Sequence, residues 1–158
     1  MTDFTALYKT YAPEVFRFAL YLSGNESEAE DITSETFVRV WAGPVAIEMK
    51  TVKGYLFTIA RNLFLQGLRR SSKQVALSPE LPDPQPDLQM QTEQRAELQA
   101  VLLRLQKLPE IDRTALLLRT MQELPYEEIA RMLDISLASA KVKVHRARLS
   151  LASIPRSS

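Results

Sequence analysis

The stretch VALSPELPDPQPDLQMQ sets the strongest limit on how this chain can fold, because it holds four of the nine prolines: Pro79, Pro82, Pro84 and Pro86. Proline lacks a backbone N–H and clashes with the preceding helical turn, so prolines at this density forbid continuous helix. Glu80, Asp83 and Asp87 keep the same stretch solvated. Residues 75–93 therefore read as a linker between two small units, residues 1–74 and residues 94–158. The aromatic residues divide in the same way, with eleven of twelve in residues 1–64 and only Tyr126 beyond. Each unit is near the lower size limit for an independent core, so a larger partner would help to order both.

On either side of the linker the apolar period is helical, and no alternating run is long enough for a strand. The expected fold is all-α. Residues 3–22 place Phe4, Leu7, Tyr11, Val15, Phe18 and Leu22 at three- and four-residue steps. Gly24 can end that helix, and Asn25 with Glu28 resembles a capping box for the next. There Ala29, Ile32, Thr36, Phe37, Val40 and Trp41 form a stripe expected to be buried, opposite Glu28, Asp31, Glu35 and Arg39. A third helix over 52–72 turns Leu56, Ile59, Ala60, Leu63 and Phe64 inward and Arg61, Asn62, Gln66, Arg69 and Arg70 outward. In the second unit, helices are expected over 94–107, from Pro109 to about Leu124, over 126–133 and over 137–152.

The last pair has the form of a helix-turn-helix. Ile129, Leu133 and Ile135 supply apolar positions across a tight bend, Asp134 takes the turn position that requires left-handed backbone, and Ser136 can cap the second helix. On that helix Ala140, Val144, Ala147 and Leu151 share one face. Ser139, Lys141, Lys143 and Arg146 supply the polar and cationic side chains expected to meet the major groove of DNA.

Charge is segregated although the net is only +1. Residues 49–79 carry six bases and no acid, and residues 134–158 sum to +4, each zone being preceded by an acidic one. Two separate basic surfaces suit two contacts with a polyanion. In the first of them, TVKGYLFTIARNLFLQGLRRSSK, cations can track phosphates, amides can read base edges and aromatics can stack on unpaired bases.

Catalytic chemistry has little to work with. No cysteine is present and His145 is the sole histidine, so thiolate metal sites, Cys nucleophiles and His clusters are excluded. Asp31 and Glu35 lack a third ligand and lie in an acid-rich helix, so a metal site is not expected there. No enzyme activity, metal or cofactor is expected. The opening residues MTDFTALYKT do not read as a secretory leader and no run approaches the ~18 apolar residues of a spanning helix, so the expected location is the cytoplasm without membrane insertion.

Three segments in order resemble the sigma-70 family of bacterial RNA polymerase sigma factors, in its short extracytoplasmic-function group. AEDITSETFVRVW is similar to the family's polymerase-binding segment, YLFTIARNLFLQGLRR to its −10 element helix, and LPEIDRTALLLRTMQELPYEEIARMLDISLASAKVKVHRAR to its −35 element domain. The resemblance implies a non-catalytic initiation factor. Its partners would be core RNA polymerase (the clamp helices of the largest subunit, and the flap), promoter DNA and, as is common in the family, an anti-sigma factor. Asp31, Glu35 and Arg39 would dock on polymerase. Asn62 would help to hold a flipped −10 base, with Arg61, Gln66, Arg69 and Arg70 on the opened strand. Ser139, Lys141, Lys143 and Arg146 would meet the −35 duplex. Several positions depart from the family pattern: Ser34 for Gln, Tyr55 for Trp, Thr58 for Arg, Gln66 for Asp, and Val142 with Lys143 for Ser and Arg. The rival reading is a stand-alone helix-turn-helix regulator that binds duplex DNA without polymerase, although nothing marks the dimer seam such proteins use.

Overall fold

The computed structural model describes residues 4–43, 51–77 and 93–153. Within them lie seven helices and no strand: α1 (Phe4–Ser23), α2 (Glu26–Ala42), α3 (Val52–Leu77), α4 (Glu93–Gln106), α5 (Glu110–Thr120), α6 (Tyr126–Leu133) and α7 (Leu137–Ser153). Most of the proline-rich stretch read as a linker lies outside the described residues; α3 itself runs on to Leu77.

Local chemistry sets several of these boundaries. Gly24, at φ 72°, closes α1, and its N–H donates to the Leu20 carbonyl at 2.7 Å. The Asn25 side chain then accepts from the Glu28 N–H at 2.8 Å and starts α2. Thr51 caps α3 in the same manner, its hydroxyl accepting from the Gly54 N–H at 2.9 Å. Asp134 takes the left-handed conformation between α6 and α7 (φ 54°, ψ 51°), and the Ser136 hydroxyl accepts from the Ser139 N–H at 3.0 Å.

In the first half, α1, α2 and α3 pack on one another around Val15, Phe18, Leu22, Ile32, Phe37, Leu56 and Phe57. Phe18 meets Phe57 edge to face at 5.0 Å. In the second half, α5 lies against α7 and α6, enclosing Ala115, Leu118, Ile129, Val144 and Ala147. Trp41 departs from expectation. Instead of lying on the buried stripe it is 71% exposed, because in the last turn of α2 it meets Phe4 edge-on at 4.8 Å while Phe37, one turn earlier, takes the core position.

The two halves also pack on each other. Helix α1 lies against α4 and α5, α3 touches α6, and the buried apolar residues of both halves form one continuous cluster. Arg113, only 6% exposed, crosses the boundary. Its guanidinium donates to the carbonyls of Leu105 (3.0 Å) in the last turn of α4, of Leu108 (3.0 Å) just beyond it, and of Leu22 (2.6 Å) at the end of α1. The Gln106 amide adds longer bonds to Tyr21 and Leu22, both at 3.3 Å. A cation placed on two helix C-termini satisfies carbonyls that have no intrahelical donor and interacts favourably with both helix dipoles. Burial pushes the guanidinium pKa down from its usual value, and the nearby Glu110 opposes that shift.

Replacing Arg113 by Met keeps the apolar stem and removes every donor. Arg113→Met should lower the unfolding free energy by about 3 kcal/mol, because three charge-assisted bonds are lost and only the Leu105 and Leu22 carbonyls keep another donor. Urea unfolding measures this, and a loss below about 1 kcal/mol would mean that the carbonyls find other donors.

Candidate nucleic-acid interface

The three helices that carry sequence-predicted contacts, α2, α3 and α7, turn most of those side chains outward, and α5 holds two of the arginines. On α3, Asn62, Gln66, Arg69 and Arg70 are exposed along one side. On α2, Asp31 and Glu35 are exposed, and the half-buried Arg39 donates to Glu35 one turn away at 3.4 Å. The helix pair brings the two sets together. Asp31, Glu35 and Arg39 from α2 and Gln66 and Arg70 from α3 line one open groove, with Glu28 at its side. Burial, with the Asp31 charge added, raises the Glu28 pKa from its usual value, as expected where acids crowd one side of a groove.

Arg61 stands apart from the rest of its helix face. Its guanidinium grips Glu110 of α5 through two bonds, at 2.9 and 3.0 Å, and the Thr114 hydroxyl donates to the same carboxylate at 2.6 Å. This fork-to-fork pair joins the basic helix of the first half to the second half. A second contact of the same kind lies at the start of α3, where the Thr51 hydroxyl donates to the buried Glu128 carboxylate of α6 at 3.1 Å. Gly54 leaves room for that carboxylate; a Cβ there would run into Glu128 Oε1.

On α7, Ala140, Val144 and Ala147 are fully buried, and Ser139 and Lys143 lie half-buried on the flank of the helix. Lys141 is exposed. Arg146, expected to reach DNA, donates two bonds at 2.7 and 2.8 Å to Asp112, a carboxylate only 1% exposed. Those bonds and the Asp112 charge hold the Arg146 pKa above its usual value. The pair fastens α7 to the first turn of α5, so Arg146 has a positioning part that the sequence pattern did not reveal. Glu110, Asp112, Arg113 and Glu128 also escaped it. Their partners lie 34 to 91 residues away along the chain, beyond any local periodicity. Among the described residues no group of three or more His, Asp or Glu side chains could hold a metal ion, and no helix is long and apolar enough to cross a membrane.

Comparison with known proteins agrees with this geometry. Residues 7–74 match Sigma-70 region 2, and residues 98–151 match Sigma-70, region 4. The ECF RNA polymerase sigma factor SigM of Bacillus subtilis is 34% identical, over 90% of this chain and 88% of that protein. SigE of Mycolicibacterium smegmatis is 36% identical over 96% of this chain, which spans only 61% of SigE. Among solved structures, the sigma factor RpoE of Bartonella quintana, in complex with the anti-sigma factor NepR, superposes with a TM-score of 0.81 at 28% identity, covering 96% of this chain and 95% of that one. CnrH, in complex with the cytosolic domain of CnrY, shares the fold at a TM-score of 0.71 and 20% identity, over 95% of this chain and 85% of that one.

The Arg61–Glu110 pair carries a pH signature. Burial alone would raise the Glu110 pKa, but the bonds from Arg61 and Thr114 and the charges of Arg61 and Arg113 outweigh it and leave the carboxyl below the usual glutamate value of 4.5. A lowered folded-state pKa gives stability that is present above that value and is lost as pH falls through the lowered one. Glu110→Gln should therefore be less stable than wild type at neutral pH, and the difference should shrink as acid is added below the usual glutamate range. Thermal unfolding midpoints across pH read this directly; a difference independent of pH would contradict it.

Proposed function

The chain belongs to the extracytoplasmic-function group of the sigma-70 RNA polymerase sigma factors, and from that membership we propose how its two halves divide the work of transcription initiation. As a sigma factor it binds core RNA polymerase and directs it to promoters by recognising −10 and −35 elements. The observation that carries this reading is the order on one chain: a region 2 half with an acidic α2 beside a basic α3, then a region 4 half ending in a helix-turn-helix. A stand-alone regulator would use only the second half and leaves the groove between α2 and α3 without a role.

In this proposal Asp31, Glu35 and Arg39 form the polymerase-docking side of the groove. Asn62, Gln66, Arg69 and Arg70 form the side that receives the melted −10 strand. Bases taken from the stack cost a few kcal/mol, which stacking and polar contacts in the groove offset. Helix α7 enters the major groove at the −35 element. Residues 1–74 and 94–158 act as the two DNA-reading units, joined by the acidic stretch between them. The solved complex of the similar sigma factor RpoE with the anti-sigma factor NepR supports an anti-sigma factor as a further partner. The protein performs no catalysis and leaves nucleotide addition to the polymerase.

The promoter itself fixes one mechanical requirement. Elements about 25 base pairs apart are separated by about 85 Å at about 3.4 Å per pair. A compact chain of this length has a radius of gyration of only about 15 Å. The two halves must therefore part when both elements are engaged, and Arg61 then exchanges the Glu110 carboxylate for DNA phosphate. Both ligands are oxygen anions matched to the guanidinium fork, so the exchange conserves the type of interaction.

Run-off transcription with purified core polymerase tests the reading, since the chain should confer promoter-dependent transcripts that core alone does not make. Asp31→Arg should weaken core binding about ten-fold or more, because like charges set across an interface cost several kcal/mol. Unchanged affinity in a binding titration would remove α2 from the docking surface. Asn62→Ala should reduce strand opening, read by permanganate reactivity of −10 thymines, while closed-complex formation is kept. Equal loss of both would remove its base-holding part.

A further inference from the structure

The outward ridge of α7 is apolar where a DNA-reading helix is usually polar. The buried residues Ala140, Val144 and Ala147 fix the inward direction of the helix. At about 100° per residue, Val142 lies within about 15° of the opposite direction, with Ala138 and Leu149 beside it along the same line. Val142 is 56% exposed and Leu149 58%. Exposed Lys141 and Arg148 flank this line on one side and Arg146 on the other. Nothing in the fold of α7 calls for valine here. It is a weaker helix former than the straight-chain residues, and at this exposure it is not part of the core.

The flanking residues narrow what the ridge can meet. In the major groove, cations on either side of a helix face the two phosphate backbones while the central ridge faces base edges. Arg146 gives two donors of its fork to the Asp112 carboxylate, which fixes its guanidinium on one flank of the ridge and leaves the centre to Val142. Valine offers no donor or acceptor, and a polar base edge placed against it would lose its water without replacement. The major-groove edge of one base carries an apolar group, the C5-methyl of thymine.

We propose that Val142 is a specificity-determining residue of the −35 contact, reading the C5-methyl of a thymine. The inference rests on α7 being the −35 helix and adds which chemical group its centre selects. Serine, which the sigma-70 pattern carries at this position, accepts several base edges and makes no comparable demand for a methyl group.

The experiment uses the full chain assembled with core polymerase on a promoter that it transcribes. Each −35 thymine is replaced singly by deoxyuridine, which lacks only the methyl group, and promoter affinity is measured. Wild type should lose about four-fold at one thymine, the worth of burying a methyl group. Val142→Ser should bind thymine and uracil alike at that position, and Val142→Ile, which keeps an apolar branched side chain, should retain the preference. Uniform tolerance of uracil by wild type would overturn the proposal, as would a −35 element without thymine or an undiminished preference in Val142→Ser. A promoter whose affinity ignores the whole −35 element would instead overturn the assignment of α7, and this proposal with it.

Discussion

The first turn of α5 holds the molecule together, and Arg113 is its centre. One buried guanidinium accounts for carbonyls at the ends of α1 and α4, groups that helix geometry leaves without donors. Within the same turn Glu110 reaches Arg61 of α3, and Asp112 reaches Arg146 of α7. Three residues of this one turn, Glu110, Asp112 and Arg113, thus fasten α5 to α1, α3, α4 and α7. The two acids also lie at a helix N-terminus, where the dipole favours negative charge. Because these are charge-assisted bonds rather than broad apolar contact, they have defined geometry and can be exchanged for other ionic partners.

That exchange links structure to function. In the proposed function Arg61 holds Glu110 in the compact arrangement and is handed to phosphate on the promoter. Arg146 differs, because its partner Asp112 belongs to the same half of the chain and the pair can persist when the halves part. One arginine is thus a contact between the halves, which the proposed function releases, and the other is a brace for α7 within one half. Glu128 beside Gly54 follows the first pattern, since its contact with Thr51 is broken by any separation of α6 from α3.

Much of the fold was legible from local chemistry. The caps at Asn25 and Ser136, the turn at Asp134 and the stripes of α1 and α3 follow from neighbours within four residues, and the structure has them as the sequence suggests. Trp41 misled because periodicity gives the direction of a side chain and says nothing of where the neighbouring helix begins. The pairing of Arg61 and Arg146 was hidden for another reason: their partners lie 49 and 34 residues away. A basic stripe looks the same whether its cations face water, DNA or a carboxylate from elsewhere in the chain. Of the candidate contacts, Asn62, Gln66, Arg69, Arg70 and Lys141 are exposed, while Ser139 and Lys143 lie on the flank of α7, where only the completed packing could put them.

In the proposed function one compact chain opens to engage two promoter elements at once. With no native cysteine, the protein accepts dye pairs at two introduced sites, and Ser27→Cys on α2 with Ala152→Cys on α7 places them on exposed positions of the two halves. Resonance energy transfer should be efficient in the free protein and fall to the level of a separation of about 85 Å in the promoter-bound holoenzyme. Efficient transfer that persists in a transcriptionally active promoter complex would contradict the account.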